Sequence, residues 1–120
     1  MSKFAFVSSV NLGLESLKEL VKLGHRPIVV ITQDLKIVSK KSGGANFSDF
    51  CRDHNLLLKK TRHINDNKIK TFLRKCEIDW LFIIGWSQLA DNEILKIPSL
   101  GSIGIHPTLL PKGRGRAPIP

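Results

Sequence analysis

Trp80-Leu81-Phe82-Ile83-Ile84-Gly85-Trp86 is the stretch whose reading decides the fold. Five apolar residues run together with no polar residue between them. A strand with one face in water alternates; a strand covered on both faces does not, and that is how the interior of a parallel sheet reads. Asp79 leads into the run and Gly85 ends it, so its length is that of a strand rather than a buried helix.

Working outward, the residues on either side have helical period. Upstream, Ile69, Phe72, Leu73 and Cys76 form an i, i+3, i+4, i+7 stripe, with Asn65 or Asp66 placed to cap its start. Downstream, Asp91 to Ile97 reads as a short helix stopped by Pro98, and Ser102 to Ile105 as the next strand. Toward the N-terminus, Leu56 to Leu58 reads as a strand, and Phe47, Phe50 and Cys51 mark a short helix ending near His54 and Asn55. Ile28 to Thr32 is a β-branched strand opened by Pro27. Leu14, Leu17, Leu20 and Val21 stripe a helix closed by Gly24, its other face carrying Glu15, Lys18, Glu19 and Lys22. Phe4 to Val7 is the first strand, followed by a turn at Ser8, Ser9, Val10 and Asn11. Strands alternating with helices throughout predict an α/β domain, a mostly parallel, doubly wound sheet with helices on both faces.

The 120 residues suit one small domain, and 42% hydrophobic content is enough for a core. No apolar run approaches membrane-spanning length, and Met1 to Val7 is too short an apolar start for a signal peptide. Cys51 and Cys76 lack metal or redox spacing and read as reduced helix residues of a cytoplasmic protein. Nineteen Lys and Arg against ten Asp and Glu give a net charge of +9. That charge fits an anionic partner and fits plain solubility equally well. The positive residues are spread along the chain, and no aromatic residues interleave with them as a single-strand platform needs. Lys36, Lys40, Lys41, Gly43 and Gly44 lie in a basic loop, either a phosphate contact or a solvated connector. His63, alone in a polar turn, reads as exposed.

Only Gly13 lies between the first strand and Gly24, so the dinucleotide fingerprint is absent, as is the Walker-type phosphate loop. The chemistry is expected instead at two strand exits, Gly85 to Leu89 and His106 to Arg116, which a parallel sheet puts at one edge. Gly85 lets a ligand approach the backbone, and Trp86 and Leu89 can wall a flat ring; Gly85 as a turn glycine and Trp86 as core is the competing reading. His106, pinned by Pro107, is either a structural histidine or the acid–base group. Arg114 and Arg116, set among Gly113 and Gly115, either clamp an anion or form a solvated turn.

His106-Pro107-Thr108-Leu109-Leu110-Pro111, followed by Arg114-Gly115-Arg116-Ala117-Pro118, resembles the signature of the formyltransferases that use 10-formyltetrahydrofolate. The resemblance runs from the Phe4 strand to Pro120. Thr32-Gln33-Asp34 and the Arg-Gly-x-Ala-Pro tail look most like the methionyl-tRNA and amino-sugar nucleotide branches. The glycinamide ribonucleotide branch has a glycine-serine phosphate loop where this chain has Ser8-Ser9-Val10-Asn11, and ranks last.

The resemblance implies a Rossmann-like formyltransferase domain. Residues 1–120 would be the N-terminal part of the catalytic domain, incomplete at the C-terminal end. The implied donor is 10-formyltetrahydrofolate, held at Gly85, Trp86, Ser87, Gln88, Leu89 and Ala90. The implied acceptor is a primary amine, charged initiator tRNA first and an amino-sugar nucleotide second, contacted by Ser9, Asn11, Arg114 and Arg116. His106 would assist attack of the amine on the formyl carbon, with no metal and no membrane involved. Where the family usually carries an oxyanion-stabilising Asn, two residues before the histidine, this chain has Gly104. The family's catalytic aspartate would fall beyond Pro120. These two departures leave a third expectation open, a non-catalytic folate- or anion-binding module.

Overall fold

The computed structural model describes residues 2–34, 45–86 and 88–105. Five strands, β1 (Phe4–Ser8), β2 (Val29–Gln33), β3 (Leu58–Thr61), β4 (Trp80–Ile84) and β5 (Gly101–Ile105), pair in parallel in the order β3-β2-β1-β4-β5. Four helices lie between them among the described residues: α1 (Asn11–Lys22), α2 (Ser48–Asp53), α3 (Asn67–Cys76) and α4 (Asn92–Leu95). The chain winds outward from β1 to β3, returns across the sheet to β4, and winds outward again to β5. Right-handed crossovers running in opposite directions put their helices on opposite faces.

The side chains record that division with a period of two. Ala5 and Val7 of β1, Val29 and Ile31 of β2 and Leu81 of β4 pack with Ile69 and Leu73 of α3 and Ile94 of α4. Phe6, Val30 and Ile84, from the alternate positions, pack with Leu17 of α1 and Cys51 of α2. Phe82 joins the second cluster and meets Phe4 edge-on, ring centroids 5.4 Å apart. The unbroken apolar run of β4 is therefore divided between two cores, as both-face burial requires.

The helix ends follow local chemistry. The N–H of Gly24 bonds the Val21 carbonyl and the N–H of His25 bonds the Leu20 carbonyl, a closure that uses the positive φ of Gly24 (91°). Asp66 caps α3 by accepting from the Lys68 N–H at 2.7 Å, and Asp91 caps α4 by accepting from the Ile94 N–H at 2.9 Å. At the opposite edge of the sheet, Asp79 accepts from the Lys3 N–H and the Ser99 hydroxyl, tying the amino ends of β1 and β4 to the approach to β5.

Two strand boundaries differ from expectation. The third strand lies at Leu58–Thr61, not Leu56 to Leu58. Leu56 is buried just ahead of the ladder, while Lys59 and Lys60 of the strand are exposed, because β3 pairs with β2 alone among the described residues. Hydropathy located the anchor and missed the hydrogen-bonded residues. The second strand extends to Gln33, which is buried at the β3 junction opposite Thr61, while Ile28 stays 39% exposed.

Gly13 brings α1 close to β1. A Cβ built there would lie 1.7 Å from Ser8 Oγ and 2.4 Å from Ser8 Cβ. Rotating the hydroxyl cannot clear the second contact. Gly13→Ala should therefore destabilise the protein by about 1–3 kcal/mol despite alanine's better helix propensity. Adding Ser8→Gly should recover most of the loss, measured by denaturant unfolding of the single and double variants.

Lys70 was not anticipated. Its side chain is 6% exposed, and its ammonium bonds Asp91 and Glu93 at 2.7 Å each; Arg74 bonds Glu93 at 2.8 Å. Hydrogen bonds from Lys70 hold Asp91 and Glu93 below their ordinary 3.8 and 4.5, and the bond to Asp91 leads in holding Lys70 above its ordinary 10.5. A depressed carboxylate stabilises above its unfolded pKa and loses that contribution as pH falls through the folded value. A raised lysine stabilises below 10.5 and loses its contribution as pH rises through the folded value. The melting temperature should thus form a plateau between about pH 5 and 9 and fall on both sides, the alkaline fall beginning with the buried Cys51 thiol, which burial pushes up to about 11. Lys70→Gln should shrink both limbs, leaving on the acid side the part due to Asp79, also held low, first by the Lys3 N–H, and on the alkaline side the part due to the buried Cys51 and Cys76 thiols. Limbs unchanged in that variant would contradict the assignment.

Candidate functional site

β1 and β4 are the strands between which the winding reverses, and a sheet of this kind opens at its carboxyl edge at such a point. Ser8 pairs with Ile84, so both strands end level and their exit loops emerge together. The two loops touch. Gly85 has φ 66°, and a Cβ there would lie 2.3 Å from Val10 Cγ2. Conformation and space both require glycine. Ser9 is buried, and its carbonyl accepts from the Ala45 N–H at 3.1 Å; Asn11 is exposed at the first position of α1. Val10, read from sequence only as a turn residue, is the contact between the loops.

The residues after Gly85 divide between wall and support. Trp86 is 4% exposed and belongs to the core on the α3 side of the sheet, so its ring lies beneath the loop rather than on it. Its indole N–H donates to Gln88 Oε1 at 2.8 Å. Leu89 is 87% exposed and Ala90 half-buried against the same core. The exposed Leu89 supplies apolar surface four residues past Gly85, of the kind a flat heterocycle can lie against.

A third loop, between β3 and α3, holds this one. The Ile64 N–H donates to Gln88 Oε1 at 2.8 Å, and Gln88 Nε2 donates to the Arg62 carbonyl at 2.7 Å. Asn65 Nδ2 donates to the Leu89 carbonyl at 3.0 Å, and Asn65 Oδ1 accepts from the Asp91 N–H at 2.8 Å. Each amide faces groups that can only donate or only accept, so its orientation is set by its partners. Sequence reading offered Asn65 only as an alternative cap for α3. His63 is exposed, and its Nδ1 accepts from the Asn65 N–H at 3.1 Å.

β5 completes the edge. The Gly85 N–H donates to the Ile105 carbonyl at 2.9 Å, one residue before His106 in the chain. Gly104 is half-buried in β5 opposite Ile83. Ser87, His106, Arg114 and Arg116, and the basic loop with Lys36, Lys40, Lys41, Gly43 and Gly44, lie outside the described residues. Burial pushes the Cys51 thiol up to about 11 and raises that of Cys76, so neither is a ready thiolate at neutral pH. Among the described residues no three His, Cys, Asp or Glu side chains group to hold a metal ion, and no helix is long and apolar enough to cross a membrane.

Comparison with known proteins agrees with this arrangement. The formyl transferase family model matches residues 5–120. A methionyl-tRNA formyltransferase of Blochmanniella pennsylvanica is 30% identical over 98% of this chain and 36% of its own length. The bifunctional polymyxin resistance protein ArnA of Wigglesworthia glossinidia brevipalpis is 32% identical over 91% of this chain and 17% of its own. The chain thus spans well under half the length of these relatives. Among solved structures, glycinamide ribonucleotide transformylase 1 from Symbiobacterium toebii shares the fold with a TM-score of 0.59 at 17% identity, over 98% of this chain and 57% of that one. With the level exits of β1 and β4, the glycine contact between their loops and a family match along almost its whole length, this chain belongs to the formyl transferase family.

Proposed function

We propose that this chain carries the donor side of a formyltransferase that moves the formyl group of 10-formyltetrahydrofolate to a primary amine, with methionyl-tRNA as the acceptor. The observation that carries this reading is the junction of three strand exits: Ser8 level with Ile84, Gly85 against Val10, and Ile105 bonded to Gly85. In this reading the pterin edge lies along Gly85 to Ala90, against Leu89, with Trp86 supporting the loop from below. Ser9, Asn11, Arg114 and Arg116 are assigned to the acceptor.

The chemistry asked of the site is modest. The lone pair of a neutral amine attacks the formyl carbon, and the carbonyl π pair moves onto oxygen. His106 takes the proton that the attacking nitrogen sheds. Collapse of the tetrahedral intermediate expels N10 of tetrahydrofolate, which takes up a proton. The developing oxyanion needs a donor, and Gly104 has no side chain to supply one, so a backbone N–H or a water is assigned that part. Methionyl-tRNA ranks ahead of an amino-sugar nucleotide because several of the similar curated proteins bear that name and the net charge of +9 suits a polyanion.

The test is transfer of labelled formyl from 10-formyltetrahydrofolate by the purified protein, with charged initiator tRNA and an amino-sugar nucleotide as competing acceptors. Formyl-methionyl-tRNA is the expected product, and His106→Ala should reduce the rate by about 10²–10⁴. Formylation of the sugar nucleotide alone would overturn the acceptor. Folate binding without transfer, insensitive to His106→Ala, would replace the enzyme with a binding module.

A further inference from the structure

We propose that Asn65 and Gln88 are positioning residues, a pair of amide clamps through which the β3–α3 loop sets the shape of the donor site at residues 85, 86 and 88–91. The inference rests on the proposed function for its ligand and on the hydrogen bonds for its geometry.

Gly85 and Trp86 are anchored at the start of this loop, the first by Val10 and its N–H bond to Ile105 and the second by the core. Beyond them Leu89 projects into solvent. From Gln88 to Asp91 the side-chain bonds across the loop come from one segment, residues 62–70. Gln88 joins Trp86 within the loop to Arg62 and Ile64 beyond it, using its oxygen twice and its nitrogen once. Asn65 bonds the Leu89 carbonyl and the Asp91 N–H together, as the backbone of a neighbouring strand would. Lys70, one turn into α3, grips Asp91 again.

Asn65 is not needed where it stands for any local purpose. The cap of α3 is already filled by Asp66. The Asn65 amide instead reaches across 24 and 26 residues of sequence to Leu89 and Asp91. Its own backbone is anchored, since its N–H bonds His63 and its neighbour begins a helix of ten residues. A loop held this way before a ligand arrives need not be ordered on binding, and that difference appears in affinity.

The experiment compares Asn65→Ala with Asp66→Ala, which removes the adjacent helix cap and so lowers stability without touching the loop. Amide exchange at residues 86 and 88–90 and the Kd for 5-formyltetrahydrofolate, a folate that does not transfer its group, are read for each. Asn65→Ala should speed exchange at those amides and weaken folate binding, each by about tenfold, with β1 and β4 amides unchanged. Gln88→Glu keeps both acceptor bonds and loses the donor to Arg62, and should fall between Asn65→Ala and the parent. Equal weakening by Asn65→Ala and Asp66→Ala, or exchange at 86 and 88–90 unmoved by Asn65→Ala, would overturn the clamp. Failure of the unsubstituted protein to bind the folate would overturn the proposed function, and the exchange measurement would still decide the clamp.

Discussion

β1 and β4 lie side by side over five residue pairs, Phe4 with Trp80 through Ser8 with Ile84, and the site depends on that register. Because the pairing is flush, two loops leave the sheet at the same height. Because the winding reverses between these strands, the crossovers that carry the helices out of β1 and β4 lead away from the gap on either side. Because Gly85 has no side chain, Val10 can approach it and the loops can close on each other. Shifting the register by one residue would exchange the two cores, sending Leu81 to the face of Phe82. The two hydrophobic clusters therefore protect the geometry of an edge that is itself held largely by polar groups.

The contrast between edge and interior runs through the molecule. The interior is aliphatic and aromatic, and hydrophobic burial holds it. The carboxyl edge is held by directional bonds instead: two side-chain amides, a helix cap and a half-solvated ion network. Hydrophobic packing tolerates small displacements, whereas a carbonyl and an N–H gripped by one amide fix a loop to within a few tenths of an ångström. A site that must present backbone to a ligand benefits from the second kind of support. At the opposite edge Asp79 does comparable work for the strand starts, far from the candidate site.

Much of the fold was legible because periodicity reports burial directly. The run at Trp80 to Ile84 and the stripe at Ile69, Phe72, Leu73 and Cys76 stand as read. Edges were less legible. β3 carries Lys59 and Lys60, which hydropathy discounts, and its buried anchor at Leu56 sits outside the ladder. Strand order was not legible at all, since periodicity carries no information about neighbours. At the site, the sequence pointed to Gly85 through Ala90 as a unit but could not divide it. Trp86 facing the core and Leu89 facing water is a matter of phase after the strand ends, where no period remains to count. Asn65 and Lys70 were missed because their partners lie about twenty residues away, and a polar residue gives no sign of its partner until the chain is folded.

If the junction of the β1 and β4 exits receives the folate donor, amide chemical-shift mapping of the isotope-labelled protein titrated with 5-formyltetrahydrofolate will locate it there. The expected shifts saturate together and cluster at residues 8–11, 62–66 and 85–91. Shifts confined to the outer face of α3, around Lys68, Phe72 and Lys75, or scattered over the basic surface without saturation, would contradict that placement.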